Sequence, residues 1–255
     1  MIGVYDSGLG GLTVLAALRA AAIDDDVVYF ADQAHVPYGE RTDADLHGLL
    51  TANLTWLREH GADLVVMGCN TSCAVASRLG WPATAFRLPI QDLIVNCARS
   101  FANTAFRRVA VVATPATVRS HAYARAIAEI APHIEVVEVA APLLVPLVEA
   151  GETETARARA AVHDVVAEFP AGVDAIVYGC THYPLLDAHF AAELSGAARI
   201  DPAREQARAV LALGLPPANG STLYVTNGDV VVFERNVRKW TGDADGRVMG
   251  LAATR

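Results

Sequence analysis

The sequence predicts an α/β protein built as two similar flavodoxin-like, doubly wound parallel-sheet domains that face each other. Apolar runs of strand length alternate with helix-period stretches along all 255 residues. The runs are rich in Val, Ile and Leu with little polar alternation, the pattern of parallel strands covered on both faces by helices. Landmarks in the first half also recur in the second at nearly one spacing. Asp6-Ser7-Gly8 and Thr114-Pro115-Ala116 lie 108 residues apart, Pro37-Tyr38-Gly39 and Pro146-Leu147 lie 109 apart, and Cys69 and Cys180 lie 111 apart.

Strand Ile2–Tyr5 runs into the Gly-rich turn Asp6–Gly11, after which the spacing of Leu and Val predicts a helix over Leu12–Ala22. Val27–Ala31 reads as the second strand and Asp43–Arg58 as a long helix with acids in its first turn. Leu64–Met67 is a short buried strand that stops at Gly68, followed by a helix over Ser72–Leu79. The second half repeats the order with strand Val109–Ala113, helix Thr117–Ile130, strand Ile134–Val139, helix Thr153–Glu168 and strand Ala175–Tyr178. After Asp201, helix Ala203–Leu213, strand Leu223–Thr226 and a surface helix around Asn236–Trp240 are expected to return to the first unit. The domains are therefore placed at 1–92 with 205–255, and at 93–204.

Composition narrows the chemistry. Apolar residues make up 53% and aromatics 7%, so the core is aliphatic. A net charge of −8 offers no basic field to nucleic acid or to an anionic membrane, and neither is expected as a partner. No run approaches the ~18 continuous apolar residues of a membrane span. The start lacks a positively charged leader, and four cysteines without a CxxC pair suit a reduced protein; a cytoplasmic location without a disulfide framework or metal site is expected.

Cys69-Asn70-Thr71 and Cys180-Thr181-His182 each follow a buried-strand run that ends in Gly, at the edge where open α/β sheets bind ligands. Thiolate is the reactive form of cysteine, and a helix start favours it. Two thiols at equivalent edges suggest an acid and a base on either side of one carbon, with the active site at the domain interface. For Cys73 and Cys97, whose context has no counterpart in the other half, the reading is a small buried hydrophobe. His182, two residues after Cys180, is positioned to exchange protons with that thiol. The Asp6–Gly11 turn has neither the Lys-Ser/Thr ending of a phosphate-binding loop nor GxGxxG spacing; its backbone N–H groups suit a small carboxylate. Asp6 reads either as a catalytic acid or as a simple helix cap. Asp32, Tyr38, Gly39, Asn70, Thr71, Thr114, Thr117, Glu149 and Thr181 are further polar or loop positions, with Glu149 equally readable as a solvated helix residue.

These segments resemble the aspartate/glutamate racemase superfamily, and within it the glutamate racemase family. The residues that carry the resemblance are Asp6–Leu15, Tyr29–Arg41, Gly68–Ala76, Ala113–Tyr123, Pro142–Gly151, Tyr178–Leu186 and the start at Ile200. The resemblance implies two α/β domains enclosing glutamate, no cofactor, and a homodimer. It implies that Cys69 takes the α-proton of the D-isomer and Cys180 that of the L-isomer. It places Asp6 beside the first thiol with Glu149 nearby, His182 beside the second, and Ser7, Tyr38, Gly39, Asn70, Thr71 and Thr181 on the substrate. Its biological role would be D-glutamate for peptidoglycan. Lys239, the single lysine, is the one residue able to form a pyridoxal Schiff base, and it falls in the late surface helix, so pyridoxal phosphate is not expected. The Pro89–Cys97 stretch departs from the family pattern, carrying Asp92, Val95, Asn96 and Cys97 where a Gly and an acid-Pro-Gly turn are usual. The alternatives are a racemase or isomerase of a related acid (aspartate, hydantoin, maleate) on the same scaffold, and a non-catalytic two-lobed binder of small acids.

Overall fold

A computed structural model describes residues 1–82, 87–216, 220–244 and 246–251. Two fully parallel sheets organise them. The first runs β10-β9-β2-β1-β3-β4, from β1 (Ile2–Asp6), β2 (Val27–Ala31), β3 (Leu64–Met67), β4 (Ile90–Gln91), β9 (Thr222–Thr226) and β10 (Arg247–Gly250). The second runs β6-β5-β7-β8, from β5 (Arg108–Ala113), β6 (Glu135–Ala140), β7 (Ala175–Gly179) and β8 (Ala198–Ile200). The order β2-β1-β3-β4 matches β6-β5-β7-β8 strand for strand, so the repeated landmarks of the sequence mark two copies of one arrangement, and the first lobe adds β9 and β10.

Helices cover both sheets. They are α1 (Leu12–Ala20), α2 (Asp43–Glu59), α3 (Asn70–Leu79), α4 (Leu93–Arg99), α5 (Pro115–Ser120), α6 (Ala122–Ile130), α7 (Leu144–Glu149), α8 (Ala156–Ala167), α9 (Asp187–Glu193), α10 (Pro202–Leu211) and α11 (Val230–Thr241). Every residue of β1, β2, β3 and β7 is buried, which is why these strands read as unbroken apolar runs. In each lobe the central strand leaves toward one neighbour and the chain returns on its other side. That reversal opens a crevice at the carboxyl ends of β1 and β3, and a second at those of β5 and β7.

The sequence and structure differ in specific places. The predicted helix Thr117–Ile130 is two helices. His121 adopts the left-handed region at φ 53°, and the Ser120 hydroxyl accepts the Ala122 N–H at 3.1 Å, so a local side-chain bond replaces a helical one. Strands β4, β8 and β10 and helices α4, α7 and α9 were not predicted, because two to seven residues are too few to display a period. The surface helix near Asn236 is α11, which starts at Val230 where Asp229 accepts the N–H groups of Val231 and Val232.

The departing stretch Pro89–Cys97 forms the crossing between the lobes. Asp92 caps α4 by accepting the Ile94 N–H at 2.8 Å and the Val95 N–H at 3.0 Å. Asn96 donates to Gln91 Oε1 and to Gln206 Oε1 on α10, and Gln206 donates to the carbonyls of Met67 and Gln91. One buried amide pair thus ties the crossing to the strand end that carries Cys69.

Candidate active site

A cavity of about 520 Å³ lies between the two crevices, lined from the first lobe by the turn after β1, the segment 36–40 and the start of α3, and from the second by the ends of β5 and β7 and by α7. Cys69 and Cys180 both line it, and they are only 4% and 7% exposed. Among the residues named from sequence, Asp6, Ser7, Tyr38, Gly39, Asn70, Thr71, Thr114, Glu149, Thr181 and His182 line it too. Thr117 does not. It is fully buried behind the wall, where its hydroxyl lies 3.1 Å from that of Thr114 and 3.5 Å from that of Thr71.

The lobes meet closely at this edge. A Cβ on Gly10 would collide with the Thr181 hydroxyl and stand 2.6 Å from His182 Nδ1, so only glycine lets the second cysteine's turn approach the first lobe. The Thr13 hydroxyl bridges the two turns, lying 2.8 Å from the Gly10 carbonyl and 3.1 Å from that of Thr181. Thr71 Oγ1 and Thr114 Oγ1 meet across the lobes at 3.2 Å.

The two sulfurs occupy different surroundings. Cys69 caps α3, and its thiol donates to Ser7 Oγ at 3.6 Å. Burial, aided by the neighbouring Asp6 carboxylate, pushes this thiol up to about 11. Asp6 is itself raised by burial, although the Gly11, Gly8 and Ser7 N–H groups work against that rise. Cys180 Sγ instead lies 3.7 Å from His182 Nδ1, and His182 Nε2 lies 3.1 Å from Glu149 Oε1. Burial opposes charge on His182, but its bonds to Cys180 and Glu149 outweigh that and raise it to about 10, which keeps it an imidazolium at neutral pH. Glu149 lines the cavity it shares with Cys69, and its carboxylate meets His182 beside the second thiol.

Tyr38 contributes differently from its residue type. Its hydroxyl is committed to Asp32 and, at 2.8 Å, to Tyr5. Asp32 is wholly buried and also accepts from Asn53 at 3.0 Å and Asn227 at 2.5 Å, with His35 Nδ1 at 2.5 Å. This network anchors the Tyr38-Gly39 segment where it lines the cavity.

Sequence reasoning missed several contributors. Pro142, Val145 and Pro146 form an apolar wall, and Trp240 of α11 meets the His182 ring edge-on with centroids 6.0 Å apart. Thr13 belongs to the same group, and so does the lobe contact of Gly10, a residue the sequence marks only as part of the Asp6–Gly11 turn. No sequence pattern announces these contacts, since each depends on how the lobes dock. No Arg or Lys lines the cavity among the described residues, and Lys239 lies outside the lining. Among the described residues, no three His, Cys, Asp or Glu side chains cluster as metal ligands, and no helix is long and apolar enough to cross a membrane.

The model of the Asp/Glu/Hydantoin racemase family matches residues 12–210. Glutamate racemase of Gloeobacter violaceus is 40% identical over 247 residues, covering 94% of this chain and 92% of the relative. The crystal structure of glutamate racemase from Thermus thermophilus in complex with beta-chloro-D-alanine superposes with a TM-score of 0.86 at 32% identity, covering 99% of this chain and 96% of that one. That of Francisella tularensis in complex with D-glutamate gives a TM-score of 0.90 at 26% identity, covering 98% and 97%. The chain belongs to the Asp/Glu/Hydantoin racemase family and is an amino-acid racemase of the glutamate racemase type.

Proposed function

We propose that the protein interconverts L- and D-glutamate by two-base proton transfer, with Cys69 and Cys180 as the bases and no cofactor. The observation that carries this is the placing of both thiols, one from each lobe, on a single cavity in unlike electrostatic settings. The His182 imidazolium lies beside Cys180 Sγ, while Cys69 is held as a thiol. That resting state suits L-glutamate. Cys180 thiolate takes the α-proton, leaving an electron pair on Cα, and the Cys69 thiol delivers its proton to the opposite face. The product is D-glutamate, with Cys180 now a thiol and Cys69 a thiolate. The reverse reaction begins from that state.

The α-proton of a free amino acid is a weak acid beside a carboxylate, so the developing negative charge needs preorganised donors in a site closed to bulk water. Hydroxyls of Ser7, Thr71, Thr114 and Thr181, the Asn70 amide and the backbone around Gly8 and Gly39 supply neutral donors. Asp6 and Glu149 suit the substrate ammonium. Thr117 holds Thr71 and Thr114 in place. The division of the chain at residues 92 and 205 and assembly as a homodimer follow from the same reading, as does a cytoplasmic supply of D-glutamate for peptidoglycan.

Chiral chromatography of the purified protein with L-glutamate, L-aspartate and maleate tests the assignment. D-glutamate should form at least tenfold faster than any product from the others. Preferential turnover of aspartate or maleate, or binding of glutamate without turnover, contradicts it.

A further inference from the structure

Asn70 opens α3 directly after Cys69 and is one of the residues that line the cavity. Its Oδ1 accepts a hydrogen bond of 2.6 Å from the phenol of Tyr123. Tyr123 is fully buried on α6, so this bond runs from the second lobe to the first. The other end of the amide, Nδ2, is buried and has no partner among the described residues. In this arrangement the Tyr123 hydroxyl donates to the amide oxygen, and Asn70 is its sole partner among the described residues, so nothing else competes for that proton. The carbonyl end of the amide is occupied and its NH₂ end is left over.

A buried donor without a partner is costly unless a ligand completes it. The cavity has no Arg or Lys among its described lining residues, and both ring nitrogens of His182 already face Cys180 and Glu149, which leaves a substrate carboxylate to neutral donors whose orientation is set in advance. We infer that Tyr123 is a positioning residue for substrate, locking the Asn70 amide so that its NH₂ meets a carboxylate of the amino acid. The inference rests on the racemase reading above. Without the phenol the amide turns freely, and in half its orientations it offers an oxygen to an anion.

Steady-state racemisation of L-glutamate by Tyr123→Phe, Asn70→Ala and the double variant tests this. Tyr123→Phe should raise KM about tenfold with kcat within about threefold, the effect expected for losing an interaction made equally in ground and transition states. In the Asn70→Ala background, adding Tyr123→Phe should change kcat/KM less than about twofold, because the residue acts through that amide. An unchanged KM in Tyr123→Phe, or the same fold-loss in both backgrounds, overturns the inference. Should Tyr123→Phe fail to fold by circular dichroism, Asn70→Asp decides. It keeps an acceptor for the phenol but turns a charged oxygen toward substrate, so KM should rise about a hundredfold or more; a KM near that of the parent overturns the inference. A parent protein that racemises no glutamate overturns both this and the underlying reading, whereas an active parent with an unaffected Tyr123→Phe overturns this alone.

Discussion

Cys69 and Cys180 sit at matching strand ends, yet their neighbours differ. One thiol is held neutral by burial and by Asp6. The other has the His182 imidazolium 3.7 Å from its sulfur, and Glu149 meets the far side of that ring at 3.1 Å. Replacing His182 with Asn should therefore slow L-to-D turnover by about 10²-fold or more while leaving the fold intact, since general acid–base partners contribute on that scale. The check is kcat for each direction by circular dichroism, and equal loss of activity and of thermal stability would point to a packing role instead. The same pair sets an alkaline limit on activity. Turnover of L-glutamate should fall as pH rises through about 10, where His182 loses its proton, and further near 11, where Cys69 ionises. A pH–rate profile flat to 11 would contradict that assignment.

At the scale of elements, the tight contact is between the Gly-rich turn after β1 and the turn after β7. Gly10→Ala places a methyl group against Thr181 and His182. It should cost about 1–3 kcal/mol of stability through overpacking and lower kcat/KM by separating the lobes. Denaturant unfolding and steady-state kinetics check both, and a variant with parental stability and kinetics would show that the edges have room to spare. Elements of this kind also show what the sequence could reveal. Val65, Val66 and Met67 are buried on both faces, so β3 and its cysteine were legible from composition alone, as was the partner strand β7. Two-residue β4 was not, since pairing with β3 rather than any pattern of its own makes it a strand. The break at His121 was invisible because the helical period of the apolar residues continues across it. The contact between Glu149 and His182 was hidden for a related reason. The sequence position of Glu149 tells that it ends a helix, while its meeting with His182 depends on how α7 packs against the turn after β7. Tyr123 and Trp240 fall in the same class, as their roles arise only when one lobe meets the other.

For the whole molecule, burying these groups makes folding depend on pH. His182 rises from 6.5 to about 10 and Cys69 from 9.0 to about 11 on folding, so the folded protein holds more protons than the unfolded chain over those intervals. Stability from His182 is fully present below about 6.5 and is lost as pH rises through about 10; that from Cys69 is lost between about 9 and 11. The melting temperature should decline steadily from about pH 7 to pH 10, and His182→Asn should flatten that decline. A parent curve that is level or rising over this range would show that the imidazolium is not stabilised by the fold.

The two lobes are useful to each other only if one stereocentre lies between their sulfurs, and the fate of a single hydrogen reports this. In heavy water, early D-glutamate formed from L-glutamate should carry deuterium at Cα in every molecule, while recovered L-glutamate keeps its protium, because separate thiols remove and deliver the proton. Changing either Cys69 or Cys180 to Ser should lower this conversion by on the order of 10³-fold. Protium retained in the D-product, or undiminished conversion by either serine variant, would contradict the two-thiol mechanism.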